Sequence, residues 1–175
     1  MNLKLFFERI FTNILYLVPS EVGVLIRRFF YKPLFRKAGK KISIKGSVIL
    51  KHLYNIEIGE HTNINHFCFI NGMGGIKIGK DCEIAPMVSI VSFNYKKDNL
   101  PLLYKDQGEE KNPIEIGNNV WLGSKVTVAA GIKIGDNCII GANSVVTKDI
   151  PPNSMAVGSP AKVIKIFKDG KWSPA

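Results

Sequence analysis

The 175-residue chain has few of the residues that build metal sites or disulfides. It holds three cysteines and three histidines, with no Cys-x-x-Cys or His-x-x-x-His spacing, so no metal is expected. The cysteines are odd in number. Cys68, Cys82 and Cys138 share one place in the repeat described below, so they read as small core residues in a reducing compartment. The chain also lacks a clean apolar run of the roughly 20 residues that a membrane-spanning helix needs. Glu8, Arg9, Asn13, Pro19, Ser20 and Glu21 interrupt the N-terminal stretch, which has no Ala-x-Ala cleavage site. Acidic residues are scarce: 14 Asp and Glu stand against 24 Lys and Arg, for a net charge of +10. That balance suits an anionic partner, such as acidic lipid or a phosphate-bearing ligand. The lysines read as scattered over the repeat and the N-terminus, and no recognised nucleic-acid motif accompanies them, so no nucleic acid is expected.

What the chain does have is a period. Ile116, Leu122, Val128, Ile134, Ile140 and Val146 stand six residues apart. Gly117, Gly123, Ala129, Gly135 and Gly141 each follow one of them. A strand alternates with period two and a helix repeats near 3.6, so a strict period of six is neither. It marks a parallel β-helix, whose short strands turn a corner after about six residues. The phase runs back through Ile90, Ile84 and Ile78 and, after a two-residue slip at Ile76-Lys77, through Ile70, Ile64 and Ile58. The fifth place of each block is small or β-branched: Thr62, Cys68, Gly74, Cys82, Val88, Val120, Val126, Ile132, Cys138 and Ser144. Three blocks make one triangular coil, with the first place pointing inward and the fifth filling the corner. Burying one Ile or Val is worth about 1.5–3 kcal/mol, so stacked columns can hold such a solenoid without a helix.

Three segments are expected. Residues 1–41 read as an amphipathic helical segment, two short helices split at Pro19-Ser20 with Ser20 as N-cap. This segment can cap the open first coil, whose strand edges would otherwise be exposed. It can also touch a membrane surface, because Phe6, Phe7, Phe11, Phe29, Phe30 and Phe35 mix with Arg27, Arg28, Lys32, Arg36, Lys37, Lys40 and Lys41. The two roles are compatible. Residues 42–164 read as the solenoid, with an irregular first coil over Ile42–Asn55 in which His52 and Tyr54 face outward, as His61 does later. From Lys96 to Glu115 the six-fold pattern fails, and a charged stretch with Pro101, Gly108 and Pro113 reads as one long loop excursion on a binding face. Residues 165–175 read as a C-terminal strand and tail, with Val163, Ile164 and Ile166 closing the end and Lys168–Ala175 frayed.

Three pieces in order, IGNNVWLGS (Ile116–Ser124), IGANSVVTKDIPPNS (Ile140–Ser154) and GSPAKVIK (Gly158–Lys165), resemble the hexapeptide-repeat acyltransferases. The nearest branch is the sugar and polysaccharide O-acetyltransferases such as galactoside and maltose acetyltransferase. The resemblance spans about residues 56–165. It implies an all-β solenoid, a left-handed parallel β-helix whose hand breaks the usual crossover rule, assembled as a homotrimer with sites between neighbours. It also implies acetyl-CoA as acyl donor and a sugar or lipid-linked glycan as acceptor. By the same resemblance Asn65 holds the acceptor. The backbone N–H of Ser124, after Gly123, polarises the thioester carbonyl. Trp121 lines the acceptor or pantetheine side. Ala142, Thr147 and Lys148 contact the cofactor arm and its phosphates, and Lys162 and Lys165 lie near the adenosine phosphate.

One position departs from the family. Tyr95, in Phe93-Asn94-Tyr95, occupies the place of the catalytic histidine. Histidine titrates near 6.5 and tyrosine near 10, so Tyr95 is a poor general base at neutral pH. Three readings stay open: an enzyme disabled at this position, an enzyme in which Tyr95 orients the acceptor while His66 or Asp98 is the base, or a non-catalytic binding scaffold. The expected function is O-acetylation of a sugar hydroxyl in surface-polysaccharide or lipopolysaccharide assembly. The expected place is the cytoplasm, peripheral at the inner face of the cell membrane.

Overall fold

A computed structural model describes Ile10, Thr12, residues 14–16, Val18 and residues 20–175. Much of the helix expected before Pro19, and the side chain of Ser20, lie outside these residues. Helix α1 (Ser20–Tyr31) leads into a solenoid of about six turns. No helix among the described residues is long and apolar enough to cross a membrane.

The solenoid has three faces. The first stacks β1 (Lys37–Ala38), β4 (Ile56–Ile58), β7 (Ile76–Ile78), β12 (Ile114–Ile116) and β15 (Lys133–Ile134). The second stacks β2 (Ser43–Ile44), β5 (Asn63–Ile64), β8 (Glu83–Ile84), β13 (Trp121–Leu122), β16 (Ile139–Ile140) and β18 (Ser154–Val157). The third stacks β3 (Ile49–Lys51), β6 (Phe69–Asn71), β9 (Ser89–Val91), β14 (Thr127–Val128) and β17 (Val145–Val146). All pairings within these stacks are parallel. The chain turns the first corner between the first and second faces, the second between the second and third, and the third on returning to the first face. All twelve residues in the six-residue phase are at most 2% exposed. The fifth-place residues are buried too, except Gly74. The polar ones are satisfied: the Thr62 hydroxyl donates to the Gly79 carbonyl (2.8 Å), and the Ser144 hydroxyl accepts from the Gly158 N–H (2.9 Å).

At the first corner Lys41, His61, Asp81, Asn119, Asn137 and Asn153 all have positive φ. That conformation costs most residues about 1–2 kcal/mol, and Asn and Asp tolerate it best. The Asn119 amide donates to Asn137 and the Asn137 amide to Asn153, each at 2.9 Å, which ties successive coils along their outer edge.

Four expectations change. The two-residue slip lies in the corner Asn71–Gly75, not at Ile76-Lys77, because Ile76 is itself a core residue paired with Ile56. The loop excursion ends before Ile114, which is fully buried and paired with Ile76, while the phase itself resumes at Ile116 as expected. The C-terminus is not frayed: β19 (Lys162–Lys168) adds antiparallel to β18, and β20 (Lys171–Pro174) pairs with β19, with Phe167 and Trp172 edge to face at 5.3 Å. The basic residues are spread along the chain, as expected, but the net charge is not. Val22 to Ile56 holds nine Lys and Arg and no Asp or Glu, so the rest of the chain has 24 − 9 = 15 against 14 acids. Nearly all the net charge therefore sits at the first-coil end.

Helix α1 closes that end through Arg27, which is 2% exposed. Its guanidinium donates to the carbonyls of Ile44 (2.7 Å), Leu15 (3.2 Å) and Val18 (2.6 Å). One side chain thus ties an edge strand of the first coil to the segment before the helix. An unsatisfied buried carbonyl costs about 1–3 kcal/mol. Arg27→Leu is expected to lower unfolding free energy by at least about 3 kcal/mol, read by urea denaturation. A change within error would show that Arg27 does not hold the cap.

Candidate active site

The second corner carries one set of candidate residues because the coils stack there in register. Asn65 N–H donates to the Ile84 carbonyl (2.9 Å), Ala85 N–H to Leu122 (2.9 Å) and Gly123 N–H to Ile140 (2.8 Å). One step further along the turn, the His66, Pro86 and Ser124 carbonyls accept from Met87, Lys125 and Asn143. Asn65 and His66 thus share a column with Gly123, Ser124 and Ala142, two coils above Ser124. Coils repeat at strand spacing, so that offset is about 10 Å. A Cβ on Gly123 would lie 2.7 Å from the Ala142 backbone nitrogen, which is why the residue before Ser124 carries no side chain. Ser124 and Ala142 are exposed, and neither N–H donates to an acceptor among the described residues. The Asn65 amide donates to the Ile84 carbonyl (3.1 Å), which fixes its orientation.

Trp121 stands on the outer side of the second face, 54% exposed. The strand register places Glu83, Trp121, Ile139, Met155 and Lys165 in one row across that face. Directly paired residues project to the same side. Lys165 is therefore three strands from Trp121, about 14 Å. Lys162 pairs with Val157 at the far end of the same strand. Gly158 then turns the chain at the second corner, where its carbonyl accepts from Val145 (3.0 Å).

A second set occupies the third corner. There β10 (Phe93–Tyr95) and β11 (Glu109–Lys111) leave the solenoid as an antiparallel hairpin. Tyr95 is 53% exposed, edge to face with Phe93 at 6.1 Å. Asp98 is exposed in the loop beyond it, and Thr147 and Lys148 follow β17 at the same corner, also exposed. The third face separates this set from Asn65 and Ser124, so one chain does not bring Tyr95 to Ser124.

Several residues here were not singled out from the sequence. Ser92 is fully buried at the hairpin neck, where its hydroxyl donates to the Asn71 carbonyl (3.0 Å) and accepts from the Gly74 N–H (2.9 Å). A Cβ on Gly74 would collide with the Ser92 carbonyl oxygen. His52, expected to face outward, is half-buried, with Nδ1 2.8 Å from Asn71 Oδ1. Glu109 lies directly across from Tyr95, so both side chains project from one side of the hairpin. Only the cross-strand register reveals that pair, because fourteen positions separate the two in sequence.

No group of three or more His, Cys, Asp or Glu able to hold a metal occurs among the described residues. The three thiols are buried and free. Burial pushes Cys68 up to about 11 and raises Cys82 and Cys138, outweighing the hydrogen bonds that lower each. Raised values keep the thiols protonated until the pH climbs above them, and only the thiolate is a nucleophile. The folded chain is expected to resist iodoacetamide at about pH 8 and to label fully once unfolded, as counted by mass spectrometry. Rapid native labelling would contradict the buried, protonated thiols.

Stacked six-residue coils, a corner lined by close backbone and a protruding hairpin define a class of parallel β-solenoid proteins. The family model described as bacterial transferase hexapeptide (six repeats) matches residues 113–148. Galactoside O-acetyltransferase of Escherichia coli (strain K12) is 38% identical over 151 residues, 86% of this chain and 72% of that protein. Among solved structures, a maltose O-acetyltransferase from Clostridium difficile 630 is similar with a TM-score of 0.85 at 34% identity, covering 95% of this chain and 87% of that one. A galactoside acetyltransferase in complex with coenzyme A is similar with a TM-score of 0.86 at 35% identity, covering 95% and 82%. The chain belongs to the hexapeptide-repeat acyltransferases.

Proposed function

We propose that this acyltransferase moves an acetyl group from acetyl-CoA to a sugar hydroxyl in surface-polysaccharide or lipopolysaccharide assembly. We further propose that it works as a homotrimer at the inner face of the cell membrane, touching it through its N-terminal segment. The observation that carries the reading is the exposed, unpartnered N–H of Ser124, in the stretch that matches the family. The names of the relatives support the sugar acceptor and the coenzyme A donor.

The chemistry follows from the two corners. A base removes the proton of the acceptor hydroxyl, whose oxygen attacks the thioester carbonyl carbon. The Ser124 N–H stabilises the oxyanion, a contribution worth about 10²–10³-fold in comparable sites. Collapse expels the thiolate of coenzyme A, which takes the proton back from the base. Asn65 and Trp121 hold the acceptor side. Gly123, Ser124 and Ala142 contact the pantetheine arm, and Thr147, Lys148, Lys162 and Lys165 the phosphates. Tyr95 and Asn65 stand at different corners, so a neighbouring copy must bring a third corner against a second. The trimer predicts a light-scattering mass near three times 19.4 kDa. Saturating coenzyme A should raise the melting temperature by mass action. A stable monomer would overturn the shared site, and an unmoved melting curve in the trimer would overturn the cofactor reading.

The base is decided by four variants assayed for kcat/KM on one sugar acceptor. If Tyr95 merely disables the histidine position, Tyr95→His raises transfer by about 10²–10⁴-fold, the usual worth of general-base help. If Tyr95 positions the acceptor and His66 is the base, His66→Ala abolishes transfer and Tyr95→His gains little. If the carboxylate opposite Tyr95 is the base, Glu109→Gln abolishes it instead. A wild type indifferent to all three would leave Asp98, with Asp98→Asn as the deciding variant.

A further inference from the structure

The concentration of charge at the first-coil end builds a specific surface. Arg28, Lys32, Arg36, Lys37, Lys40 and Lys41 line one open recess of about 780 Å³ where α1 meets β1, and no acidic residue lines it. Among the six, Arg36 has an acidic partner, Glu57 at 3.3 Å; the other five have none among the described residues. The rest of the basic run is committed elsewhere: Arg27 to backbone carbonyls, Lys45 to Glu21 at 2.6 Å, and Lys51 over the Phe69 ring.

An apolar ridge rises beside the recess. Val22, Leu25 and Phe29, at i, i+3 and i+7 of α1, are 62%, 56% and 76% exposed, while Val24, Arg27 and Tyr31 face the core. Leu25 and Phe29 also line the recess, so ridge and cations form one continuous surface. That pairing selects the occupant. A soluble phosphate or a nucleic acid would engage the cations and leave Phe29 in water. A second copy would bring like charges together. A bilayer with anionic headgroups satisfies both parts, with acyl chains over the ridge and phosphates in the recess.

We propose that this end of the solenoid is a docking surface for an anionic phospholipid bilayer, with Phe29 and Leu25 inserted and Lys32, Lys37, Lys40 and Lys41 on the headgroup phosphates. The proposal rests on the enzyme reading for its purpose and not for its chemistry. Strand β1 at this end lies three strands from β12, where the Tyr95 hairpin rejoins the solenoid, about 14 Å along the axis. A glycan carried on a lipid at the docked surface is within that reach.

The full chain is tested by co-sedimentation with vesicles of phosphatidylcholine plus phosphatidylglycerol, against vesicles of phosphatidylcholine alone. Binding is expected to the mixed vesicles only, and to weaken as salt rises. Each neutralised surface cation weakens such binding about fivefold, so Lys37→Gln with Lys40→Gln should lose about thirtyfold. Phe29→Ser should weaken it as well. Melting curves and acetyl transfer to a soluble sugar should match wild type in both variants. Equal binding to both vesicles, no binding to either, or wild-type affinity in the variants would overturn the docking surface. Glycerol phosphate or an oligonucleotide binding to the recess without vesicle binding would overturn it in favour of a soluble anion. Vesicle binding in a chain that never transfers acetyl would leave the surface standing and sink the enzyme reading instead.

Discussion

The structure depends on coils stacking at β-strand spacing all the way round their corners. At a strand the separation leaves room for side chains above and below the sheet. At a corner the backbone of the next coil sits where a side chain would begin. A Cβ on Gly117 would lie 2.7 Å from the backbone nitrogen of Asp136, and one on Gly135 would lie 2.5 Å from that of Pro152. Gly39, Gly59 and Gly79 meet the same obstruction higher in the column. At the first corner the glycine after each aliphatic residue is therefore a packing requirement, and a column of positive-φ residues stands beside it.

The same constraint shapes the candidate site. At the second corner Gly123 admits the next coil closely, and the Ser124 N–H beside it has no partner among the described residues. The hairpin that carries Tyr95 stands at a different corner, anchored by Ser92 through Asn71 and Gly74. A triangular solenoid can join two of its own corners only through another copy. That geometry supports the assembly in the proposed function, in which a neighbouring copy completes the site.

The two ends of the solenoid solve the problem of exposed strand edges differently. At the C-terminal end β19 and β20 extend the second face as an antiparallel sheet. At the other end a helix lies over the first coil, and one buried guanidinium satisfies three carbonyls that no strand could reach. Arg27 serves the fold, and its neighbours Arg28, Lys32, Lys37, Lys40 and Lys41 remain open to solvent as the cationic face. A run of basic residues that looks uniform in sequence thus divides into a structural member and a surface.

The chain by itself determined the solenoid. A period of six that belongs to neither helix nor strand, with an inward aliphatic residue, names every core column, and all twelve positions are buried. The buried cysteines were legible for the same reason, since each fills the fifth place of one block. Contacts across strands could not be read this way. The pairing of Tyr95 with Glu109, the slip absorbed at Asn71–Gly75, the end of the excursion before Ile114 and the ordered C-terminal hairpin all depend on register between segments far apart in the chain. Counting three blocks to a coil puts the blocks of Asn65 and Ser124 second and that of Tyr95 third, so their different corners follow from the period. Only the folded chain decided what meets outside the core, such as Glu109 across from Tyr95 and Ser92 at the hairpin neck, because those contacts are set by how distant segments pair and not by the inward pattern.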